Sequence, residues 1–276
     1  MKPGLSSLKM SDSHVQSNAA GSSARTALVL SAGGMFGSYQ AGIWLELSKY
    51  FKPDLIVGAS IGSVNGWLIA SGLDGEQLTD RWLNMAVSEV RWRLPRGIGK
   101  GIIDSSSVDT LFQEMCDSLR PQTPYGVVTV EYRTMKPKLF RYPEVTWEHI
   151  AASCAVPFFL RQPKLEGRMH ADGGLLNPLP LWAALEMGAT RVISVNLLEN
   201  RPWIVRAVAN CARAYSGFRD PGADHITHVN ISPSQVLGGP KDTIYWSHEN
   251  ARRWIELGQK DAAKHKHLIV ECLERK

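Results

Sequence analysis

Residues 54–70 read Asp-Leu-Ile-Val-Gly-Ala-Ser-Ile-Gly-Ser-Val-Asn-Gly-Trp-Leu-Ile-Ala, a strand, turn and helix pattern. Asp54–Val57 is typical of a short buried strand, and Ser63–Ala70 has the apolar content of a buried helix. Between them, Gly58 to Gly62 form a G-x-S-x-G pentapeptide that places Ser60 on a strand-to-helix turn. Because flanking glycines allow a sharp turn and a close approach of substrate, this context predicts that Ser60 is a nucleophile.

A glycine-rich loop lies upstream. Thr26–Leu30 predicts a strand, Ser31–Gly37 forms the loop, and apolar residues at helical spacing follow from Tyr39 to Phe51. Backbone N–H groups at such a helix start hold either a phosphate or an oxyanion. Ala32 breaks the dinucleotide pattern G-x-G-x-x-G, and no lysine completes a nucleotide P-loop. With a candidate nucleophile downstream, we favour an oxyanion; the alternative is a tight turn without a ligand.

A third motif is Asp172-Gly173-Gly174, followed by the turn signal Asn177-Pro178 and the predicted helix Leu181–Glu186. The two glycines leave the Asp172 carboxylate at the end of a strand with nothing bulky beside it. Taken alone, such a motif is more often a surface turn.

Taken together, these motifs closely resemble those of the patatin-like phospholipase family, over roughly residues 26–260. The family pattern is an S-G-G-G-x-[KR]-G loop, a G-x-S-x-G turn about 25 residues later, and a D-G-[GA] motif with N-x-P beyond it. Residues 152–159 also resemble the family block A-S-x-A-x-P-x-F. The resemblance and the alternation of strands and helices both predict a three-layer α/β/α fold with a mainly parallel central sheet.

The resemblance implies a serine lipid acyl hydrolase, that is, an esterase, a lipase or a phospholipase A, with a fatty-acyl ester or lipid as substrate. Its catalytic residues would be a Ser60–Asp172 dyad without a histidine. The oxyanion would be held by the N–H groups of Gly33, Gly34 and Met35. The motif glycines that would support this site are Gly37, Gly58, Gly62, Gly173 and Gly174.

An aspartate with an ordinary pKa is a poor general base, so the site must raise the pKa of Asp172. We expect the apolar block Val156–Phe159 to supply the necessary desolvation. Two residues depart from the family pattern, Ala32 at the first loop glycine and Phe36 at the basic position. We expect Phe36 to add apolar surface for an acyl chain and to favour uncharged esters over phospholipids. The alternative is that Phe36 packs the first helix in the core.

Other mechanisms and functions share this pattern. A Ser–His–Asp triad would use one of the downstream histidines, His225, His228, His248, His265 and His267. His170 precedes Asp172 by two residues, and we expect it to pack or to support the site. A lipid-binding module without turnover and an acyltransferase that uses an alcohol other than water also remain as alternatives.

The composition is typical of a single enzyme domain. The chain has 276 residues, of which 44% are hydrophobic and 21% charged. We expect a disordered tail over residues 1–24, without the apolar segment of a secretory signal, and a hydrolase domain over 25–276. The four cysteines lie among apolar residues without paired spacing, which predicts reduced core thiols and a cytoplasmic location.

The sequence has no zinc-binding pattern and no cofactor motif, so we expect neither a metal nor a cofactor. A net charge of +5 is too small to indicate nucleic acid. Residues 91–103 mix cations with apolar side chains, which fits either transient contact with a membrane or lipid interface or an ordinary loop.

The remaining elements follow from local patterns. Asp74 and Gln77 predict a capping box at the start of a helix, and a further helix is expected from Ser105. A hairpin is predicted from residues 125–133 and 138–142. Two further strands are predicted over Arg191–Leu197 and His228–Ile231, and two closing helices over residues 243–257 and 261–273.

Overall fold

The computed structural model describes residues 24–85, 106–199, 210–211, 213–220, 222 and 226–275. Helices cover a central sheet whose strands are mostly parallel. Its strands are β1 (Thr26–Leu30), β2 (Leu55–Ala59), β3 (Tyr125–Glu131), β4 (Lys136–Arg141), β5 (Lys164–Leu165), β6 (Arg168–Ala171), β7 (Arg191–Val195) and β8 (Thr227–Ile231).

The parallel part of the sheet has the order β3-β2-β1-β7-β8. Strands β1 and β2 are buried along their whole length. Leu30 at the end of β1 is opposite Gly58 on β2. The segments that follow these two strands therefore emerge side by side, which is the usual position of a binding site in a parallel sheet.

Strand β3 brings two distant parts of the chain together. Strand β4 pairs with one edge of β3 from Gly126 to Glu131, so β2 and β6 share the other edge. The parallel β2 ends with Ala59 opposite Val128, whereas the antiparallel β6 ends with Ala171 opposite Val130. Ser60 follows β2 and Asp172 follows β6, so these two residues are directed toward Thr129 from opposite ends.

The predicted hairpin, the capping box and the predicted strands are confirmed. Asp74 accepts a hydrogen bond from the Gln77 N–H at 2.8 Å, and the Gln77 side chain accepts one from the Asp74 N–H at 3.1 Å. The helices are α1 (Gly37–Leu47), α2 (Ile61–Ala70), α3 (Gly75–Leu83), α4 (Ser106–Ser118), α5 (Trp147–Ser153), α6 (Leu181–Glu186) and α7 (His248–Glu274).

The prediction of two closing helices is wrong, because α7 is one continuous helix of 27 residues. Gly258 does not interrupt it. A Cβ atom at Gly258 would lie 2.3 Å from the carbonyl oxygen of Tyr39, and one at Gly42 would lie 2.1 Å from that of Ile255. These two glycines therefore allow α1 and α7 to pack with their backbones in close contact.

Several predictions concern residues outside the described ranges, namely the N-terminal tail apart from Ala24, the segment 91–103 and His225. Within the described ranges, no helix combines the length and apolarity needed to span a bilayer. All four cysteines are free, but the prediction of core thiols is wrong for Cys211, which is exposed, and Cys154 is only partly buried.

Candidate active site

Ser60 has the backbone conformation expected of a nucleophile on a tight turn. Its φ is 53° and its ψ is −129°, an unfavourable region for a residue with a side chain. A Cβ atom at Gly58 would lie 2.2 Å from the Gly62 carbonyl oxygen, and one at Gly62 would lie 2.3 Å from that of Leu30. Both glycines are therefore required for the turn to close against β1.

Asp172 follows β6 directly and is 6% exposed. Its N–H donates to the Ala155 carbonyl at 2.9 Å, and its Oδ1 accepts a hydrogen bond from the Gly174 N–H at 2.7 Å. Burial raises the pKa of Asp172 to about 6, although hydrogen bonding from the Ser60 hydroxyl and the Gly174 N–H partly opposes this shift. A carboxyl group with this pKa can serve as a base near neutral pH.

Three of the four side chains in the block Val156–Phe159, which we expected to desolvate Asp172, are exposed. Phe158 is 80% exposed and has a positive φ of 70°, while Val156 and Phe159 are also exposed. The turn that precedes the block, at Cys154 and Ala155, approaches the acid instead. Ala155 is fully buried and holds the Asp172 main chain.

The start of the glycine-rich loop lies next to the Ser60 turn, since a Cβ atom at Gly62 would lie 2.7 Å from the Ser31 carbonyl oxygen. Within the described part of the chain, the N–H groups of Gly33 and Gly34 have no hydrogen-bond acceptor. The N–H of Met35 donates to the Thr243 carbonyl at 3.0 Å, so it is already occupied. Two of the three predicted oxyanion donors, those of Gly33 and Gly34, are therefore free to bind a ligand.

A buried polar network supports both ends of this loop. Gln40 Nε2 donates to the Ser31 carbonyl at 2.8 Å, and Asn65 Nδ2 donates to the Gly37 carbonyl at 2.9 Å. The two side chains bond each other at 2.9 Å, and Trp82 Nε1 donates to Asn65 Oδ1 at 3.0 Å. These residues were not predicted from the sequence. The available signal was a polar Asn65 within an apolar helix, since a buried amide needs partners.

The alanine at position 32 is accommodated by the acid motif. Its φ is not positive, so the missing glycine causes no backbone strain here. A Cβ atom at Gly174 would lie 2.3 Å from the Ala32 methyl group. The absence of a side chain at Gly174 thus makes room for Ala32, whose N–H donates to the Pro178 carbonyl at 2.9 Å.

Phe36 does not face the site, and the expectation that it contacts an acyl chain is wrong. Its ring is 6% exposed and lies edge-on to Trp254 of α7, with 5.0 Å between ring centroids. Phe36 instead packs in the core against the first helix and its neighbours, which was the alternative prediction. The substrate preference that was inferred from Phe36 therefore has no structural basis.

The described histidines downstream of Asp172 have their contacts elsewhere. His228 Nε2 is 2.8 Å from the Ser194 hydroxyl on β7, and His265 Nδ1 is 2.8 Å from the Asp261 carbonyl in α7. His248 begins α7 beside Trp246, and His267 is exposed. None of the described histidines forms a hydrogen bond with Ser60 or Asp172. These histidines therefore do not support a Ser–His–Asp triad.

His170 occupies a packing position. Its Nδ1 lies 2.8 Å from the Thr129 hydroxyl, and its ring packs against Phe140. Burial lowers the pKa of His170 to about 4. Among the described residues, no group of three His, Cys, Asp or Glu side chains is arranged to hold a metal ion.

Comparison with known proteins identifies the family. The family model for patatin-like phospholipase matches residues 28–185, which contain Ser60, Asp172 and the glycine-rich loop. The chain belongs to the patatin-like phospholipase family.

The chain is similar to two relatives in sequence and to one solved structure in fold. Rat patatin-like phospholipase domain-containing protein 7 is 30% identical over 184 residues, covering 62% of this chain and 13% of that protein. An uncharacterized NTE family protein of Mycobacterium tuberculosis is 28% identical over 182 residues, covering 64% of this chain and 50% of its own length. The crystal structure of VipD from Legionella pneumophila has the same fold, with a TM-score of 0.52 and 13% identity over 90% of this chain and 67% of VipD.

Proposed function

We propose that this patatin-like chain is a serine lipid acyl hydrolase that cleaves carboxylic esters of fatty acids with a Ser60–Asp172 dyad. The observation that carries the proposal is the convergence of two strand ends on Thr129. One of them presents Ser60 in a strained turn, and the other presents a buried carboxyl group whose pKa is raised to about 6. A strained serine next to a base with a perturbed pKa is typical of an activated nucleophile.

The acylation step follows from these positions. Ser60 Oγ attacks the ester carbonyl carbon while the Asp172 carboxylate takes the hydroxyl proton. The negative charge that develops on the carbonyl oxygen is stabilised by the free N–H groups of Gly33 and Gly34. When the tetrahedral intermediate collapses, the protonated Asp172 gives its proton to the leaving alkoxide, which departs as an alcohol.

Deacylation repeats this sequence with water. Asp172 removes a proton from a water molecule, the resulting hydroxide attacks the acyl carbon on Ser60 Oγ, and the same two N–H groups stabilise the second oxyanion. Collapse releases the fatty acid, and Asp172 returns the proton to Ser60. A carboxylic acid protonates an alkoxide easily, but it assists the departure of an amine less well, so we expect esters rather than peptides as substrates.

A panel of chromogenic esters of increasing chain length, together with phospholipid micelles, tests this proposal. The parent protein should release fatty acid from at least one substrate, and Ser60→Ala should abolish the release. Ser71→Ala is a matched control, because it removes a buried hydroxyl at the end of α2 that has no hydrogen-bond partner among the described residues. It should retain full activity. Failure of the parent to turn over any substrate would favour a lipid-binding module, and an ester product formed with an added alcohol would favour acyl transfer.

A further inference from the structure

We propose that Ser153 is a positioning residue, whose hydroxyl holds the main chain of Ser60 where the nucleophile can exchange a proton with Asp172. This inference rests on the proposed function, since it assigns a role in the same site. Ser153 is the last residue of α5 and is fully buried.

The hydroxyl of Ser153 has two partners that define its orientation. The Ser60 N–H donates to Ser153 Oγ at 2.9 Å, and Ser153 Oγ donates its own proton to the Val128 carbonyl at 2.7 Å. Because the backbone N–H can only donate, the hydroxyl proton must go to Val128. The Ser60 main chain is thus tied to β3 through one side chain, beside the residue on which the two strand ends converge.

The main chain around Ser153 also holds the acid motif. The Ser153 carbonyl accepts a hydrogen bond from the Gly173 N–H at 3.0 Å, and the Ala155 carbonyl accepts one from the Asp172 N–H at 2.9 Å. The end of α5 is therefore attached to both members of the proposed dyad. The nucleophile is attached through the Ser153 side chain, whereas the acid is attached through backbone carbonyls.

Gly173 packs closely against both Val128 and Ser153. A Cβ atom at Gly173 would lie 2.0 Å from the Val128 carbonyl oxygen and 3.3 Å from Ser153 Oγ. Removal of the hydroxyl leaves the Ser60 N–H without its acceptor in a buried position. It also removes a restraint on a residue with an unfavourable φ of 53°. We therefore expect the Ser60 turn to relax and the distance from Ser60 to the base to change.

The test compares the parent with Ser153→Ala, Ser153→Cys and Ser194→Ala. Ser194 is a matched control because it is a fully buried serine whose hydroxyl also has two partners, His228 and Asn230, but it lies on β7. Four quantities are measured: kcat and KM with a chromogenic ester, the rate of labelling by a fluorophosphonate, and hydrogen–deuterium exchange of peptides that contain Ser60 or Gly173.

For Ser153→Ala we expect kcat and the labelling rate to fall by about 100-fold, since small displacements of reacting groups have effects of this size. KM should change by less than about twofold, because binding of the ester is not affected. The Ser60 amide should exchange faster, whereas exchange at Gly173 should change little. Ser153→Cys keeps the volume with a weaker donor and acceptor and should show an intermediate loss. Ser194→Ala should match the parent in kcat and labelling.

A folded Ser153→Ala variant with the parental labelling rate and parental exchange at Ser60 would overturn the inference. If this variant does not fold, as judged by circular dichroism, Ser153→Cys replaces it, and a parental labelling rate there would have the same meaning. If the parent itself is neither active nor labelled, the proposed function fails. In that case hydrogen–deuterium exchange of the Ser60 amide still tests the positioning role of Ser153. An exchange rate in Ser153→Ala equal to that of the parent would refute this role.

Discussion

The Asp172 carboxyl group determines the expected pH dependence of catalysis. It must be ionised to accept the Ser60 proton, and burial raises its pKa to about 6. We therefore expect kcat/KM to be constant above this pH and to fall about tenfold for each unit below it. Rates with a short ester from about pH 4.5 to about pH 8 would check this, with circular dichroism to confirm that the protein stays folded. A profile without change from about pH 5 to about pH 7 would contradict a catalytic base with a pKa of about 6.

The same shift predicts an effect on stability. The pKa of Asp172 is about 6 in the folded protein and 3.8 without the fold, so the folded state binds the proton more tightly. The protonated Asp172 therefore adds to the free energy of unfolding. This contribution is complete below pH 3.8 and is lost as the pH rises through about 6. Asp172→Asn carries no charge at any pH and should raise the free energy of unfolding at pH 8 by up to about 3 kcal/mol.

Urea unfolding of the parent and of Asp172→Asn at about pH 8 and about pH 4 measures this difference. The stabilisation should be large at the higher pH and small at the lower one. Equal stability of the two proteins at both values would mean that the carboxylate is not desolvated in the folded state.

Gly34 gives a prediction for the oxyanion loop. Its φ is +57°, and a Cβ atom there would lie 2.2 Å from the Thr243 carbonyl oxygen. Gly34→Ala should displace the loop and lower kcat by about 100-fold, the usual effect of losing one oxyanion donor. Steady-state kinetics measures this loss. Unchanged kcat in the folded variant would place the oxyanion elsewhere.

At the scale of elements, the contact between α1 and α7 depends on glycine. Gly258→Ala places a methyl group 2.3 Å from the Tyr39 carbonyl oxygen, which the rigid backbone of α1 cannot avoid. We expect a loss of about 2 kcal/mol in the free energy of unfolding, despite the better helix propensity of alanine. Gly239→Ala is the control, because its new methyl group would meet its nearest neighbour only at 3.9 Å. Equal stability of the two variants would contradict the close packing of these helices.

The sequence predicted those elements whose signals are local. Two predictions of this kind are confirmed, because each depends only on neighbouring residues. They are the strand, glycine loop and helix around residues 26–47 and the hairpin after Tyr125. The prediction divided the closing helix into two, because a glycine within a helical pattern is typical of a helix end. Only its partner α1, more than 200 residues earlier, explains why Gly258 lies there. Contacts between distant elements leave no signal in a local window.

At the scale of the whole molecule, the candidate site depends on strand register. Motifs identified Ser60 and Asp172 separately, but the meeting of β2 and β6 on one edge of β3 is a property of the sheet. For the same reason the sequence did not predict the role of Ser153. Phe36 was misplaced because its burial depends on Trp254, which belongs to the last helix.

A fluorophosphonate that modifies the parent protein shows which residue is the nucleophile. Digestion and mass spectrometry should locate a single adduct on Ser60, because among the serines that the structure describes only Ser60 combines a strained turn with a nearby base. Ser60→Ala should give no adduct, and Asp172→Asn should react far more slowly than the parent. An adduct on another serine, or none in a protein that hydrolyses esters, would contradict the assignment of Ser60 as the nucleophile.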